Sequence, residues 1–138
     1  MQGPFRSLVM TNLEIVRSTY EGANAKENGR APQQYLAPDA RWTEAAGFPY
    51  AGTYVGFEAI STHVFARLGS EWDNYHTEIE GYAEGPDLVI AYGTYKGTYL
   101  ATGKYMQARV THLWKLREGR IVSFEQIVDS QTVVAALS

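Results

Sequence analysis

The sequence predicts an α+β fold in which helices near the N-terminus cover one face of a curved, mainly antiparallel sheet. Two observations carry this prediction. Apolar residues recur at helical spacing in the first half of the chain, whereas long alternating segments joined by turn residues follow one another in the second half. Consecutive strands joined by short turns pair antiparallel, so the helices are left to cover a face of that sheet.

Three helical segments are predicted before the long strands. Thr11-Asn12-Leu13-Glu14 fits a capping box, and the helix that it begins should stop at Asn28-Gly29. Pro32 suits the first position of a short second helix. Apolar spacing over 57–68 predicts the third helix, with Gly69 beyond its end. Strands are predicted over 40–45, near Tyr54, and over 74–84, 88–100 and 105–117, and Asp129 should cap a short C-terminal helix.

The hairpin over 110–129 gives the strongest signal for a binding site. A three-residue turn, Glu118-Gly119-Arg120, brings the apolar sides of its two arms onto one face. Those sides contain Val110, His112, Trp114 and Leu116 in the first arm and Val122, Phe124, Gln126 and Val128 in the second. Trp114 then lies opposite Phe124, and the next pair on this face is His112 with Gln126. Polar groups on an apolar wall must form hydrogen bonds or bind something, as in a small-molecule pocket.

Length and composition indicate one globular domain with its own core. The chain has 138 residues, of which 45% are hydrophobic and 20% charged. Met10 could serve as an alternative start. We therefore predict a flexible N-terminal leader over 1–10 and a single domain over 11–138.

Charge and residue usage exclude several classes of function. The net charge is −3 and no run of Lys or Arg could follow a phosphate backbone, so we predict no nucleic-acid partner. The absence of cysteine excludes thiol catalysis, and the three histidines lack the spacing of a metal site. No apolar stretch could span a membrane, and no glycine-rich phosphate motif follows a strand. We expect a cytoplasmic protein without membrane association, metal or cofactor.

Several side chains are candidates for chemistry, and each has a simpler reading. Glu44 beside Trp42 could be a general base with a pKa raised by an apolar pocket, or a solvated residue at a strand end. Tyr20 could donate a hydrogen bond to a bound carbonyl, or fill the core. His112 and Gln126 could line a pocket, or satisfy each other in a closed core. Asp129 suits a helix cap better than a catalytic group.

Arg109 and the tyrosines leave two questions about the sheet surface. Strand parity places Arg109 on the face opposite His112, so it should point away from the pocket, toward a dimer partner. Nine of the ten tyrosines cluster over 35–54 and 75–105. They either line the cavity or make the convex face suitable for dimerisation.

The chain resembles the NTF2-like superfamily, specifically its SnoaL-like and ketosteroid-isomerase-like domains, over nearly its whole length. Such a domain implies a cone of curved sheet closed by helices around a deep pocket, often in a homodimer. The motifs that carry the resemblance are P-D-A-R-W-T-E at 38–44, G-T-Y-V-G-F-E-A-I at 52–60, H-L-W at 112–114 and G-R-I-V-S-F-E-Q-I-V-D at 119–129.

The resemblance implies roles for individual residues and also shows two departures. The position of the isomerase's base is held by Glu44, and that of its oxyanion tyrosine by Tyr20. The isomerase's protonated Asp, which its apolar site keeps neutral, is replaced by Arg109. Cyclases and epoxide hydrolases of this type use an Asp where this chain has Gln126, although a histidine near the cyclase site matches His112. An amide accepts no proton at useful pH, which argues against those two mechanisms.

We therefore expect a SnoaL-like small-molecule enzyme with proton-transfer chemistry, of isomerase or cyclase type, on a hydrophobic ketone. The rival hypotheses are a non-catalytic binder of a hydrophobic small molecule and a structural or partner-binding module of the same fold. A homodimer is expected in each case. The expected catalytic residues are Glu44, Tyr20 and His112, and the expected ligand contacts are Trp42, Trp114, Phe124, Gln126 and Asp129.

Overall fold

The computed structural model describes residues 10–23 and 25–138 and shows the α+β architecture that the sequence predicts. Most of the predicted leader, residues 1–9, lies outside the described residues. The helices are α1 (Asn12–Ser18), α2 (Ala25–Tyr35), α3 (Phe57–Ile60), which continues through a π-helical segment (Ser61–Phe65) into α4 (Ala66–Glu71), and α5 (Ser130–Ala135). The strands are β1 (Leu36–Glu44), β2 (Gly52–Val55), β3 (Trp72–Gly85), β4 (Leu88–Tyr99), β5 (Lys104–Arg117) and β6 (Arg120–Val128).

The sheet has six strands in the order β2-β1-β6-β5-β4-β3. All neighbours pair antiparallel except β1 and β6, which pair parallel. Strand β3 contains two register shifts relative to β4, one after Asp73 and one after Ile79. Bulges of this kind bend a strand and increase its twist, which is consistent with a sheet that curves around the core.

The helix boundaries differ from the prediction near the N-terminus. The sequence predicts that the first helix stops at Asn28-Gly29. In the structure α1 already ends at Ser18, and Asn28-Gly29 lies inside α2. The Asn28 side chain accepts a hydrogen bond from the Gly22 backbone N–H at 2.7 Å, so it holds the preceding turn while its own backbone stays helical. Pro32 lies inside α2, not at its start.

The third helix also runs further than predicted, through Gly69 to Glu71. The Glu71 carboxylate accepts hydrogen bonds at 2.8 Å from both Arg67 and the Tyr50 hydroxyl. These bonds anchor the last turn, so a single glycine does not end the helix.

The β5–β6 hairpin has a shorter turn than predicted. Arg117 pairs with Arg120, so the loop consists of Glu118 and Gly119, whose φ angles are 51° and 76°. Two positive φ angles in a two-residue loop match the twist of the flanking strands. A bulge at Val122 then restores the predicted register: the Trp114–Phe124 and His112–Gln126 pairs are confirmed. Ile121, not Val122, pairs with Leu116 and is buried beside it.

The core lies between the concave face of the sheet and the helices. Aromatic rings from three neighbouring strands meet there: Trp42 stacks on Phe124 with centroids 3.8 Å apart, and Trp114 meets both edge to face. The same face of β4 and β5 carries the small buried residues Ala91 and Ala108. Small side chains beside large rings leave space inside the cone. Within the described ranges, no helix is long and apolar enough to cross a membrane.

Candidate functional site

A cavity of about 610 Å³ lies between the concave face of the sheet and the helices. Its wall contains one carboxylate, from Glu44, and no Lys or Arg among the described lining residues. The wall is rich in aromatic rings, with contributions from Tyr20, Trp42, Phe65, Trp72, Tyr75, His76, Tyr95, His112, Trp114 and Phe124. A separate depression of about 660 Å³ between α1 and α2 is lined by several charged side chains and contains none of the predicted site residues.

Glu44 is the last residue of β1, and strand alternation puts its side chain on the same face as Trp42. Its side chain is buried, with 4% of the residue exposed, and has no ion-pair partner among the described residues. Burial raises the pKa of Glu44 to about 8, and the indole N–H of Trp42 opposes part of that rise. The carboxyl group therefore titrates near neutral pH, inside the cavity.

His112 lies between two tyrosine hydroxyls at the centre of the site. Its Nδ1 is 2.5 Å from the Tyr20 hydroxyl, and its Nε2 forms a hydrogen bond with the Tyr95 hydroxyl. The Trp114 indole N–H donates to the Tyr20 oxygen at 2.8 Å. Burial lowers the pKa of His112 to about 3, so the imidazole is neutral at physiological pH. Tyr20 itself lies two residues beyond the end of α1, in the turn that follows it.

Gln126 is 2% exposed, and both the oxygen and the nitrogen of its side-chain amide form hydrogen bonds. Its Oε1 accepts a hydrogen bond from the Ala45 backbone N–H at 3.0 Å, and its Nε2 donates to the Tyr95 hydroxyl at 2.8 Å. It thus fixes the chain directly after Glu44. The sequence suggested that Gln126 and His112 could bond to each other. They do not bond directly, and the Tyr95 hydroxyl forms a hydrogen bond with each of them.

Three residues considered in the sequence analysis are not among those that line the cavity. Gln126 was expected to contact ligand, but its amide is bonded to Ala45 and Tyr95 and it is absent from the lining. Asp129 was expected to contact ligand, but it is exposed and caps α5, accepting hydrogen bonds from the Thr132 backbone N–H at 3.2 Å and its hydroxyl at 2.5 Å. The cap uses both carboxylate oxygens, which explains why Asp129 turns from the wall. Arg109 points to the outer face, where it contacts Glu80 and Thr94, as strand parity predicts.

The sequence did not single out Tyr75 and Tyr95, which line the same cavity as Glu44 and His112. The Tyr75 hydroxyl is buried and has no hydrogen-bond partner among the described residues. Alternation along β4 could have revealed Tyr95, a large side chain that lies between Gly93 and Gly97 on the face that also carries Ala91. Tyr75 follows the bulge at Asn74, where φ is 53°, so parity could not have placed it.

Comparison with known proteins places the chain in a family. The model of the SnoaL-like domain matches residues 16–124. An NTF2-like protein of Burkholderia thailandensis E264 has 39% identity and a TM-score of 0.84, with 100% of this chain and 99% of that chain covered. The comparison with curated proteins gave no match.

Two more distant structures share the fold. TerC, co-crystallised with polyporic acid, has 22% identity and a TM-score of 0.79, covering 91% of this chain and 97% of its own. A Jannaschia sp. CCS1 protein that bears the name SnoaL-like polyketide cyclase has 16% identity and a TM-score of 0.75, covering 100% of this chain and 96% of its own. The six-stranded curved sheet, its helical cover and the domain match agree, and the chain belongs to the SnoaL-like family of the NTF2-like superfamily.

Proposed function

We propose that the protein is a small-molecule enzyme that moves a proton next to the carbonyl group of a hydrophobic ketone, by isomerase- or cyclase-type chemistry. One observation carries the proposal: Glu44 is buried in the wall of an aromatic cavity, has no cationic partner there, and has a pKa of about 8. A base is most effective when its pKa lies near the working pH, because it is then both available and strong enough to take a proton.

The lining of the cavity supports an uncharged ligand. No Lys or Arg among the described lining residues could compensate a carboxylate or phosphate, and Glu44 would repel one when ionised. A volume of about 610 Å³ is in the range of small-molecule pockets. The names of two structural neighbours, one co-crystallised with polyporic acid and one called a polyketide cyclase, fit a role with an organic small molecule.

The remaining polar groups fit a supporting arrangement for the base. A carbonyl oxygen that becomes an enolate needs hydrogen-bond donors, and the phenols of Tyr20 and Tyr95 line the same cavity as Glu44. Both nitrogens of His112 are already bonded to tyrosines, so in this proposal His112 orients hydroxyls and does not touch the enolate oxygen. Gln126 anchors Ala45 and so holds Glu44 in place.

The test is exchange of the protons α to the carbonyl in deuterated buffer, followed by NMR across a panel of cyclic ketones that bind. We expect wild type to accelerate exchange and Glu44→Gln to abolish it while ligand binding stays nearly unchanged, because the amide keeps the shape but accepts no proton. Glu125→Gln is the matched control, since Glu125 is an exposed Glu on the neighbouring β6 and pairs with Thr43. Equal exchange by wild type and Glu44→Gln would remove Glu44 as the base.

A non-catalytic binder with the same pocket is the second candidate. It is favoured by Gln126, which occupies the place of an acidic residue in cyclases of this type and is fully used in holding the structure. Ketones that bind without exchange in either wild type or Glu44→Gln would establish this reading. We propose further that the protein, whether an enzyme or a non-catalytic binder, acts as a symmetric homodimer in the cytoplasm.

A further inference from the structure

The hydrogen bonds around His112 can be counted proton by proton. The Trp114 indole N–H can only donate, so the Tyr20 oxygen accepts one bond from it. The Gln126 amide is oriented by the Ala45 N–H, which needs the amide oxygen, so its NH₂ group faces Tyr95 and donates. The phenol oxygens of Tyr20 and Tyr95 therefore each accept one hydrogen bond already, and each phenol still has its own O–H proton to donate.

A neutral imidazole has one N–H and one bare nitrogen. One tyrosine must donate to the bare nitrogen, and the other must accept from the N–H. Only one of the two phenols, Tyr20 or Tyr95, therefore keeps a proton that is free for another partner. The tautomer of His112 decides which: Nδ1–H frees the proton of Tyr20, and Nε2–H frees the proton of Tyr95.

The surroundings of the two phenols differ. Tyr95 packs against Tyr75, with ring centroids 5.1 Å apart, and the buried Tyr75 hydroxyl has no hydrogen-bond partner among the described residues. Charge on Glu44 also raises the pKa of Tyr95, after the larger effect of burial. Once Glu44 is ionised, above a pH of about 8 and in the form that acts as a base, its negative charge favours an O–H proton of Tyr95 that points toward it. The pKa of Tyr20 is raised mainly by burial and also by Tyr82, whose own hydroxyl donates to Glu21 at 2.8 Å. Glu44 is not among the causes of that rise.

We propose that the structure holds His112 as its Nε2–H tautomer and thereby directs the Tyr95 O–H proton to the Glu44 side of the cavity, which makes Tyr95, rather than Tyr20, the donor to a ligand's carbonyl oxygen. Tyr95 is then a catalytic residue, and His112 and Gln126 are positioning residues. The ligand is an uncharged ketone whose oxygen faces Tyr95 and whose neighbouring C–H faces Glu44. The ligand part of the inference rests on the proposed function, whereas the tautomer does not.

The tautomer is measured first, on ligand-free protein labelled with ¹⁵N at histidine, at a pH above about 8 so that Glu44 is ionised. His112 is assigned by the loss of its signals in His112→Gln, which separates them from those of the exposed or half-exposed His63 and His76. We expect a bare-nitrogen signal from Nδ1 and an N–H signal from Nε2. The reverse pattern, with the proton on Nδ1, would overturn the proposal whatever the protein does to ketones.

The donor is tested with α-tetralone labelled with ¹³C at its carbonyl, a neutral bicyclic ketone. Donation of a hydrogen bond moves the carbonyl signal downfield, and we expect Tyr95→Phe to lose that shift and Tyr20→Phe to keep it. In the exchange assay Tyr95→Phe should lower the rate by about 10²–10³-fold, the usual effect of removing one such donor, and Tyr20→Phe by much less. Loss of the shift in Tyr20→Phe alone contradicts the inference.

The two proposals fail in different ways. If no exchange occurs in wild type, the proposed reaction is wrong, while the ¹⁵N spectrum and the carbonyl shift still decide which phenol is the donor. If tetralone does not bind, the ¹⁵N spectrum decides alone. A thermal melt of each variant shows whether it folds. Gln126→Leu, which removes the amide that orients Tyr95, should weaken the carbonyl shift without changing the His112 tautomer.

Discussion

Glu44 and His112 are buried ionisable side chains that both prefer to be neutral, but they place opposite demands on pH. The pKa of Glu44 rises from an ordinary value of 4.5 to about 8, so the folded protein holds a proton there that the unfolded chain has already released. The pKa of His112 falls from 6.5 to about 3, so the unfolded chain binds a proton that the folded protein refuses. Both shifts arise mainly from burial.

The first prediction concerns stability against pH. Glu44 makes stability fall as pH rises from about 4.5 to about 8, and His112 makes it rise from about 3 to about 6.5. The two slopes cancel between 4.5 and 6.5, which leaves a decline from 6.5 to 8 that belongs to Glu44 alone. That decline should approach roughly 1.4 kcal/mol per pH unit, the value for one proton. Urea unfolding at several pH values measures it.

Glu44→Gln is the comparison that isolates this effect. The amide does not titrate, so the free energy of unfolding should stay level from pH 6.5 to 8 in the variant, and the difference between the two proteins should grow in that window. The exposed Glu125→Gln should follow wild type. A wild-type curve that is level over the same window would mean that Glu44 keeps an ordinary pKa.

The second prediction concerns the rate of proton exchange, and it rests on Glu44 as the base. Only the ionised carboxylate accepts a proton, so kcat/KM for a ketone should increase with pH up to about 8 and then level off. His112 does not titrate in this range, because its pKa is about 3. A profile without an inflection between pH 6 and 10 would argue against Glu44 as the base.

Residues on regular strands were predictable, and residues beside irregular backbone were not. Parity along β1 and across the hairpin correctly put Trp42, Glu44, His112 and Gln126 on the core face, because the side-chain period of a strand leaves little choice. Tyr75 could not be assigned to the core face because a bulge precedes it and interrupts the alternation of side chains. Asp129 was predicted both to cap the C-terminal helix and to contact ligand, and the cap alone is confirmed, because it uses both carboxylate oxygens.

Among the elements, the β5–β6 hairpin shows how a wrong turn can give the right register. The prediction used a three-residue loop, and the protein uses the two-residue loop Glu118-Gly119 followed by a bulge at Val122. Compared with a two-residue loop and no bulge, both arrangements add one residue to the second arm before Phe124. The Trp114–Phe124 and His112–Gln126 pairs are therefore the same in both. The concave face requires a register, and the sequence determines it more strongly than it determines the turn.

The third prediction concerns the pairing of β3 with β4, where Gly93 faces the bulge at Glu80. A Cβ on Gly93 would lie 1.9 Å from the Glu78 carbonyl oxygen and 2.9 Å from the Ile79 Cα, both backbone atoms that cannot give way alone. Gly93→Ala should therefore destabilise the protein by about 1–3 kcal/mol or more, as overpacking does. Urea unfolding measures the loss.

Gly29→Ala is the matched control for this substitution. Gly29 lies inside α2, and a Cβ there meets nothing within 4 Å, so alanine should leave stability unchanged or raise it by up to about 1 kcal/mol. If Gly93→Ala is as stable as wild type, β3 and β4 must be further apart in solution, and the bulge does not set the curvature of the sheet.

Viewed as a whole, the molecule is a curved sheet with two unlike faces. The concave face holds the core and the cavity. The convex face carries a row of side chains across three strands, in which Tyr92 pairs with Thr111 and Thr111 with Ile127. Tyr92 is 42% exposed and Ile127 55% exposed, which is unusual for large apolar side chains in the middle of a sheet. Arg109 lies on the same face, bound to Glu80.

The fourth prediction is that this convex face pairs with a second copy of the chain. Light scattering should give the mass of a dimer at micromolar concentration, since specific interfaces usually bury more than roughly 1,000 Å². Ile127→Asp should produce a monomer, because it puts two unpaired carboxylates into the centre of a symmetric interface, where desolvation is costly. Val134→Asp is the control: Val134 is exposed but lies on α5, away from the sheet, so this variant should remain dimeric. Thermal melts check that both variants fold. A dimer that survives Ile127→Asp would place the partner surface elsewhere, and a monomeric wild type would leave the convex face without a role in assembly.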